Sequence, residues 1–287
     1  MAEGNRPAFP RYLRLRRYVQ FALVFLLNAR FNARFLYDLR GVCFPALNCW
    51  ACPTAAVACP LGALQNAIGD MRAAFTPPLY ILGSIVAVSA VIGRAMCGWL
   101  CPFGLVQDLL ARIRRYHAQL PPWTGYLKYA LLVGLGIVLP FATRVPWFCK
   151  FCPQGALQGG IFQPLLYADL RPLIHEWWFL KIGILVAFLV ASIFIRRPFC
   201  RSFCALGALF SLFNRVSLVR MYYDREACTD CMWCVRICPA GIDPRRELES
   251  MSCVSCMECA KCPFDAIHVE TAFTRHDASP AGEEAGP

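Results

Sequence analysis

Three apolar runs fix what this chain can become. Pro78 to Met96, Tyr126 to Ala142 and Trp177 to Ile195 each approach the length of about 20 residues that a helix needs to cross a hydrocarbon layer of about 30 Å. Inside lipid every backbone amide must find its partner within the protein, so such runs become helices. A fourth run, Tyr18 to Tyr37, is interrupted by Arg30 and Arg34, which stand four apart on one helix face and are tolerated if that face looks into a bundle. With 58% hydrophobic and 16% charged residues, the chain is too apolar for an ordinary soluble domain. Its net charge of +11 sits beside these runs: Arg6, Arg11, Arg14, Arg16 and Arg17 precede the first, and arginines crowd Arg94 to Lys128 and Arg196 to Arg220. The segments after the first and third runs are nearly balanced. By the positive-inside rule this predicts four spans with both termini cytoplasmic, in a bacterial-type inner membrane. Orientation accounts for the basic residues, so no nucleic-acid partner is expected.

The cysteines repeat with the spans. CPLGALQ, Cys59 to Gln65, returns as CPQGALQ, Cys152 to Gln158; CGWLC, Cys97 to Cys101, is answered by CRSFC, Cys200 to Cys204. The two halves, about 18–119 and 120–218, run in the same direction, which predicts a pseudo-two-fold axis along the membrane normal. Each half then brings one C-x3-C to that axis. Cysteines four apart on a helical turn share a side, so Cys97, Cys101, Cys200 and Cys204 make a four-thiolate cage suited to a 4Fe-4S cluster or a zinc ion.

After Arg220 the apolar runs stop. Cys228, Cys231, Cys234 and Cys238, followed by Pro239, form C-x2-C-x2-C-x3-C-P, the bacterial ferredoxin run in which the fourth cysteine serves the other cluster. Crossing the ligands gives one cluster on Cys228, Cys231, Cys234 and Cys262 and a second on Cys253, Cys256, Cys259 and Cys238. The second run is one residue short, with only Ala260 and Lys261 between its last two cysteines. The expected organisation is a basic arm (1–17), a membrane domain (18–218), a two-cluster ferredoxin-like domain (219–275) and a polar tail (276–287). In class this is an all-α membrane bundle of four transmembrane helices with a two-fold internal repeat, followed by a small α+β ferredoxin-like domain.

On CGWLCP at Cys97 to Pro102, CRSFC at Cys200 to Cys204 and the two ferredoxin runs, the chain resembles the membrane polyferredoxin family. That family includes the quinol-dehydrogenase subunit of periplasmic nitrate reductase systems and the nitrous oxide reductase regulator. The likeness covers Arg11 to Thr271. It implies a membrane electron carrier, a subunit of an oxidoreductase system, working between the quinone pool or a cytoplasmic donor and a redox partner beyond the membrane.

Six more cysteines, Cys43, Cys49, Cys52, Cys59, Cys149 and Cys152, fall in the outer loops. A cubane needs four. The symmetric set is Cys49, Cys52, Cys149 and Cys152; the local set is the first four; and aligning the repeats equates Cys59 with Cys152. Spacing does not choose among them, nor between a cluster and C-x2-C pairs that cycle as disulfides. The expectation is therefore at least three 4Fe-4S clusters, with a fourth left open at these outer cysteines. The alternative function is a reductant that passes electrons through outer thiols to a periplasmic metalloenzyme maturation factor. Inner and outer sites placed at opposite surfaces would stand about 30 Å apart. Arg30, Arg34 and Lys150 are candidates to offset an outer cluster's charge. His117, His175 and Glu176 are candidates for quinone protonation, read first as solvated loop positions; Trp50, Trp99 and Trp147 read as interface anchors. Gly-rich nucleotide fingerprints are absent, which places NAD or flavin in a partner, and no catalytic side chain stands out.

Overall fold

A computed structural model describes residues 11–27, 46–49, 57, 59–74, 79–114, 118, 120, 121, 123–166, 168–173 and 176–271. The calls on Cys43, Cys52, Arg30, Arg34, Trp50, His117, His175 and the tail 276–287 lie outside the described residues.

The architecture is mostly helical, with one small two-stranded antiparallel sheet among the described residues. Helix α1 (Arg11–Leu27) begins in the basic arm rather than at Tyr18. Helix α2 (Pro60–Ala74) starts directly after Cys59. Helix α3 (Leu79–Ile92) is 14 residues long, and α4 (Ala95–Trp99) and α5 (Pro102–Leu110) follow it. Among the described residues two helices are long and apolar enough to cross a membrane, Thr124–Thr143 and Glu176–Phe194, with mean hydropathies of 1.6 and 2.1. Only 28% and 11% of their apolar windows are buried, so Ile137, Phe141, Val186 and Val190 face outward. A core helix of a soluble domain would hide such residues.

One C-x3-C expectation needs correcting. Cys97 and Cys101 do not ride one continuous turn: Cys97 lies in α4, whereas Cys101 is extended (φ −74°, ψ 119°) and caps α5. Pro102 is the cause, because a residue before proline is pushed out of the helical region while proline itself suits the first helical position. Cys204, followed by Ala205, adopts nearly the same angles (φ −75°, ψ 106°) and caps the helix Ala205–Ser211. Position within the repeat, rather than proline alone, holds the bend.

Beyond Ser217 the chain forms β1 (Val219–Tyr223), the cysteine-rich loops and β2 (Ile267–Thr271), which pairs antiparallel with β1, Met221 opposite Val269. The lobe so closed has its own core of Met221, Ile242, Val254 and Ile267 among the cysteines. Leu218 N donates to Ala90 O at 2.9 Å, fixing the lobe's root to α3.

Candidate metal centres

Cys97, Cys101, Cys200 and Cys204 line one small cavity together with Ala46, Leu47, Leu206 and Gly207. Both halves build it by the same device. Arg94 and Arg197 each stand three residues before a C-x3-C, and each reaches across to the other half: Arg94 Nη2 donates to Cys200 O at 2.5 Å and Arg197 Nη1 to Cys97 O at 3.5 Å. Gly207 N donates to Cys204 Sγ at 3.3 Å, and Gln107 Nε2 to Cys200 Sγ at 3.1 Å. Neither arginine was singled out from sequence as part of a site. The sequence carries a signal for both, R-x2-C-x3-C in each half, beyond their part in the positive bias that orients a membrane protein.

In the ferredoxin-like lobe, Cys238, Cys253, Cys256 and Cys259 line a second small cavity. This is the crossed set, with Cys238 arriving from the first run. Met232 (φ 57°) and Met257 (φ 60°) open the two runs identically. The first continues as the helix Trp233–Ile237, the second as a tighter 3-10 turn, Glu258–Lys261. That turn absorbs the missing residue: Cys238 (φ −62°, ψ 117°) and Cys262 (φ −60°, ψ 128°) leave with matching backbone. Cys262 is near enough to Cys234 to disfavour its thiolate, although burial is the larger cause of that raised thiol. Cys231 is exposed, so this end of the lobe faces solvent.

The inner and lobe cavities abut. A Cβ on Gly98, between Cys97 and Cys101, would lie 2.8 Å from Cys256 Cα and 3.0 Å from Val254 O. Only glycine permits this backbone-to-backbone approach. Around it Arg94 Nη1 donates to Met251 O (2.7 Å) and Cys253 O (3.3 Å), Lys128 Nζ to Met251 O (2.6 Å), and Asn214 Nδ2 to Cys253 O (3.1 Å). Arg16 and Gln20, one turn apart on α1, both donate to Gly98 O, at 2.9 and 2.7 Å. Arg16 also pairs with Glu258 (2.5 Å) and with Asp108 (2.6 Å), which Arg197 grips as well.

A third cavity is lined by Cys49, Cys59, Cys149 and Cys152, with Lys150 and Lys181 at it. Its volume is about 350 Å³, and Leu47 walls both it and the inner cavity. The two sites are therefore inset toward each other rather than placed at opposite surfaces, the case in which about 30 Å would part them. Lys150 lies over Trp147 at 4.8 Å and Trp177 at 5.3 Å, so Trp147 is part of this rim as well as an aromatic at an apolar helix end.

The donor set and the charges fit iron–sulfur clusters. Arg16, Arg94, Lys128 and Arg197 are buried, and the carboxylates that meet them are Asp108 and Glu258. Buried cations in such excess are costly unless an anion lies among them, and a thiolate-ligated cluster is one. Burial pushes the Cys59 and Cys253 thiols up to about 12 and Cys238 up to about 11, so these need a bound cation to ionise near neutrality. Among the described residues no three His, Cys, Asp or Glu side chains converge on one point as a single ion demands. A cubane takes each thiolate on a different iron and so spreads its ligands around a void.

A family model described as a 4Fe-4S binding domain matches residues 75–121 and again 128–173, and one described as a 4Fe-4S dicluster domain matches 196–276. An uncharacterized protein of Methanocaldococcus jannaschii is 31% identical over 202 residues, 67% of this chain and 78% of the relative. The chain belongs to the 4Fe-4S polyferredoxin family. Other polyferredoxin relatives are the regulatory protein NosR of Pseudomonas aeruginosa, 30% identical over 194 residues (62% of this chain), and the ferredoxin-type protein NapH of Haemophilus influenzae, 29% over 159 (54%). The chain spans 25% of NosR and 51% of NapH. No solved structure matches this polyferredoxin. It is an iron–sulfur electron-transfer protein, and what remains is where its clusters sit and what they connect.

Proposed function

We propose that the chain is a multi-pass inner-membrane electron carrier. In this reading Cys228, Cys231, Cys234 and Cys262 hold a distal 4Fe-4S cluster, Cys238, Cys253, Cys256 and Cys259 a proximal one, and Cys97, Cys101, Cys200 and Cys204 an inner one. Each cluster supplies one-electron chemistry when bound. The protein's own work is to hold the three sites in line, exclude water and offset their charge. The observation that carries the reading is the contact at Gly98, where two four-cysteine cavities touch through backbone alone. Arg94, Lys128 and Arg16 surround that contact with cations that favour the reduced, more negative state of either neighbour.

Four spans, both termini cytoplasmic and halves at about 18–119 and 120–218 belong to the same proposal, as do the ferredoxin-like lobe at 219–275 and a role between quinone or a cytoplasmic donor and a partner on the outer side. The reciprocal Arg94 and Arg197 contacts and the two outward-facing apolar helices support it. The test is quantification of iron and sulfide in anaerobically purified protein with EPR of the reduced state. At least three 4Fe-4S clusters are expected, and Cys97→Ser with Cys200→Ser should remove one of them. Fewer than three in the unaltered chain would remove the inner site from the path.

A further inference from the structure

The outer cavity repeats the construction of the inner one. Cys59, Cys101, Cys152 and Cys204 are each followed three residues later by glycine: Gly62, Gly104, Gly155 and Gly207. In every copy that glycine's amide points at the cysteine sulfur, and the cysteine carbonyl accepts from the amide four residues on. Two copies of this turn face each other at the inner site, and the other two face each other at the outer site. A second mark is glutamine six residues after cysteine, present in three copies as Gln65, Gln107 and Gln158.

Each glutamine clasps the leading cysteine of the opposite half. Gln107 Nε2 reaches Cys200 Sγ at the inner site. At the outer site Gln65 Nε2 reaches Cys149 Sγ at 3.8 Å while its Oε1 accepts from Phe148 N at 3.2 Å. Gln158, its counterpart, accepts from Cys49 N at 2.7 Å and donates to Asn48 Oδ1 at 2.7 Å. Gln158 thus holds Cys49 at the outer site as Gln65 holds Cys149, with the bonded amide one residue later in the chain: that of Cys49 itself rather than of the residue before it. Chain spacing hides this, since nine residues lie between Cys49 and Cys59 and two between Cys149 and Cys152.

We propose that Cys49, Cys59, Cys149 and Cys152 are the four ligands of a further iron–sulfur cluster, with Gln65 and Gln158 as its positioning residues. The inference rests on the iron–sulfur reading of the chain and selects a ligand set that neither the symmetric nor the local grouping of the outer cysteines contains. The site stands one residue, Leu47, from the inner cavity. Lys181 Nζ and Cys49 Sγ lie within 3.6 and 3.7 Å of where a Cβ on Gly155 would be, so a cation is already held beside the sulfurs.

The experiment compares the anaerobically purified full chain with Cys49→Ser plus Cys149→Ser, measuring iron, acid-labile sulfide and EPR of the reduced protein. The pair is expected to lose one cluster of four, a quarter of the iron, with the remaining signals unchanged. Gln158→Leu is expected to keep the iron and shift the midpoint potential of that signal alone. Mass labelling of native thiols gives a readout on the unaltered chain: Cys49, Cys59, Cys149 and Cys152 protected until iron is chelated. An unchanged iron content in the double variant, a Cys49–Cys52 or Cys149–Cys152 disulfide, or protection of Cys43 or Cys52 in place of Cys49 would overturn the assignment. If Cys97→Ser with Cys200→Ser still removes a cluster in that event, only the outer site falls; if neither pair changes the iron, the wider reading falls with it.

Discussion

At the scale of single residues, Gly98 and Arg94 do what no cysteine can. Gly98→Ala places a methyl 2.8 Å from Cys256 Cα, where main chain rather than a side chain would have to move. The lobe should be displaced: spin coupling between inner and proximal clusters falls while iron content holds. Gly134→Ala, with nothing within 4 Å of its new methyl, is the control and should be neutral or up to about 1 kcal/mol stabilising in thermal unfolding. Arg94→Gln removes a buried guanidinium from Cys200, Met251 and Cys253 carbonyls. Redox titration should show the inner and proximal potentials lowered, and hydrogen exchange at 250–254 should rise by a protection loss on the order of 3 kcal/mol. Spacing in the lobe is itself chemistry, and it predicts the grouping of Cys238 with Cys253, Cys256 and Cys259 around one cavity. Gly98 is not legible in that way, because a glycine acquires meaning only from what folds against it, whereas Arg94 is marked by R-x2-C-x3-C in both halves without its partners being given.

At the scale of elements, α1 is held by polar contacts more than by its apolar side. Arg16 joins it to Asp108 on α5 and to Glu258 in the lobe, and Arg197 completes the cluster. Burial alone would raise the Asp108 carboxyl, but Arg197 and Arg16 outweigh it and hold the group below the ordinary carboxylate range. A depressed value stabilises the folded state above the unfolded pKa of about 4, and this contribution is lost as pH falls below that. Asp108→Asn should reproduce the loss at neutral pH, read as faster hydrogen exchange across 11–27 with the lobe's own two-stranded sheet unaffected. The apolar runs announced Thr124–Thr143 and Glu176–Phe194 almost to the residue. They said less about α3, which ends at Ile92, before the predicted limit at Met96, and about the bend at Cys101 and Cys204. Hydropathy measures what a segment dissolves in, not where the chain must turn to aim a sulfur.

At the scale of the whole molecule, charge and metal hold each other in place. Removing iron anaerobically with a chelator should leave the buried cations unbalanced, so that 228–262 and 46–49 become protease-sensitive while Thr124–Thr143 and Glu176–Phe194 stay protected in micelles or bilayer. Equal protection before and after stripping would mean that the cations are satisfied without clusters. The duplication was legible as two copies of C-P-x-G-A-L-Q and of C-x3-C. Which cysteines meet was not, because Cys49 lies in a loop whose length differs between the halves and whose place is set by Gln158 from the other half. The two-stranded sheet adds one more consequence. Both ends of the ferredoxin-like lobe leave through β1 and β2, side by side, rooted on α3 through Leu218. Entry through one sheet does not make the lobe interchangeable: a module grafted between Leu218 and Thr271 would also have to offer carbonyls to Arg94 and Lys128 and a carboxylate to Arg16, so evolution can swap it only together with its socket.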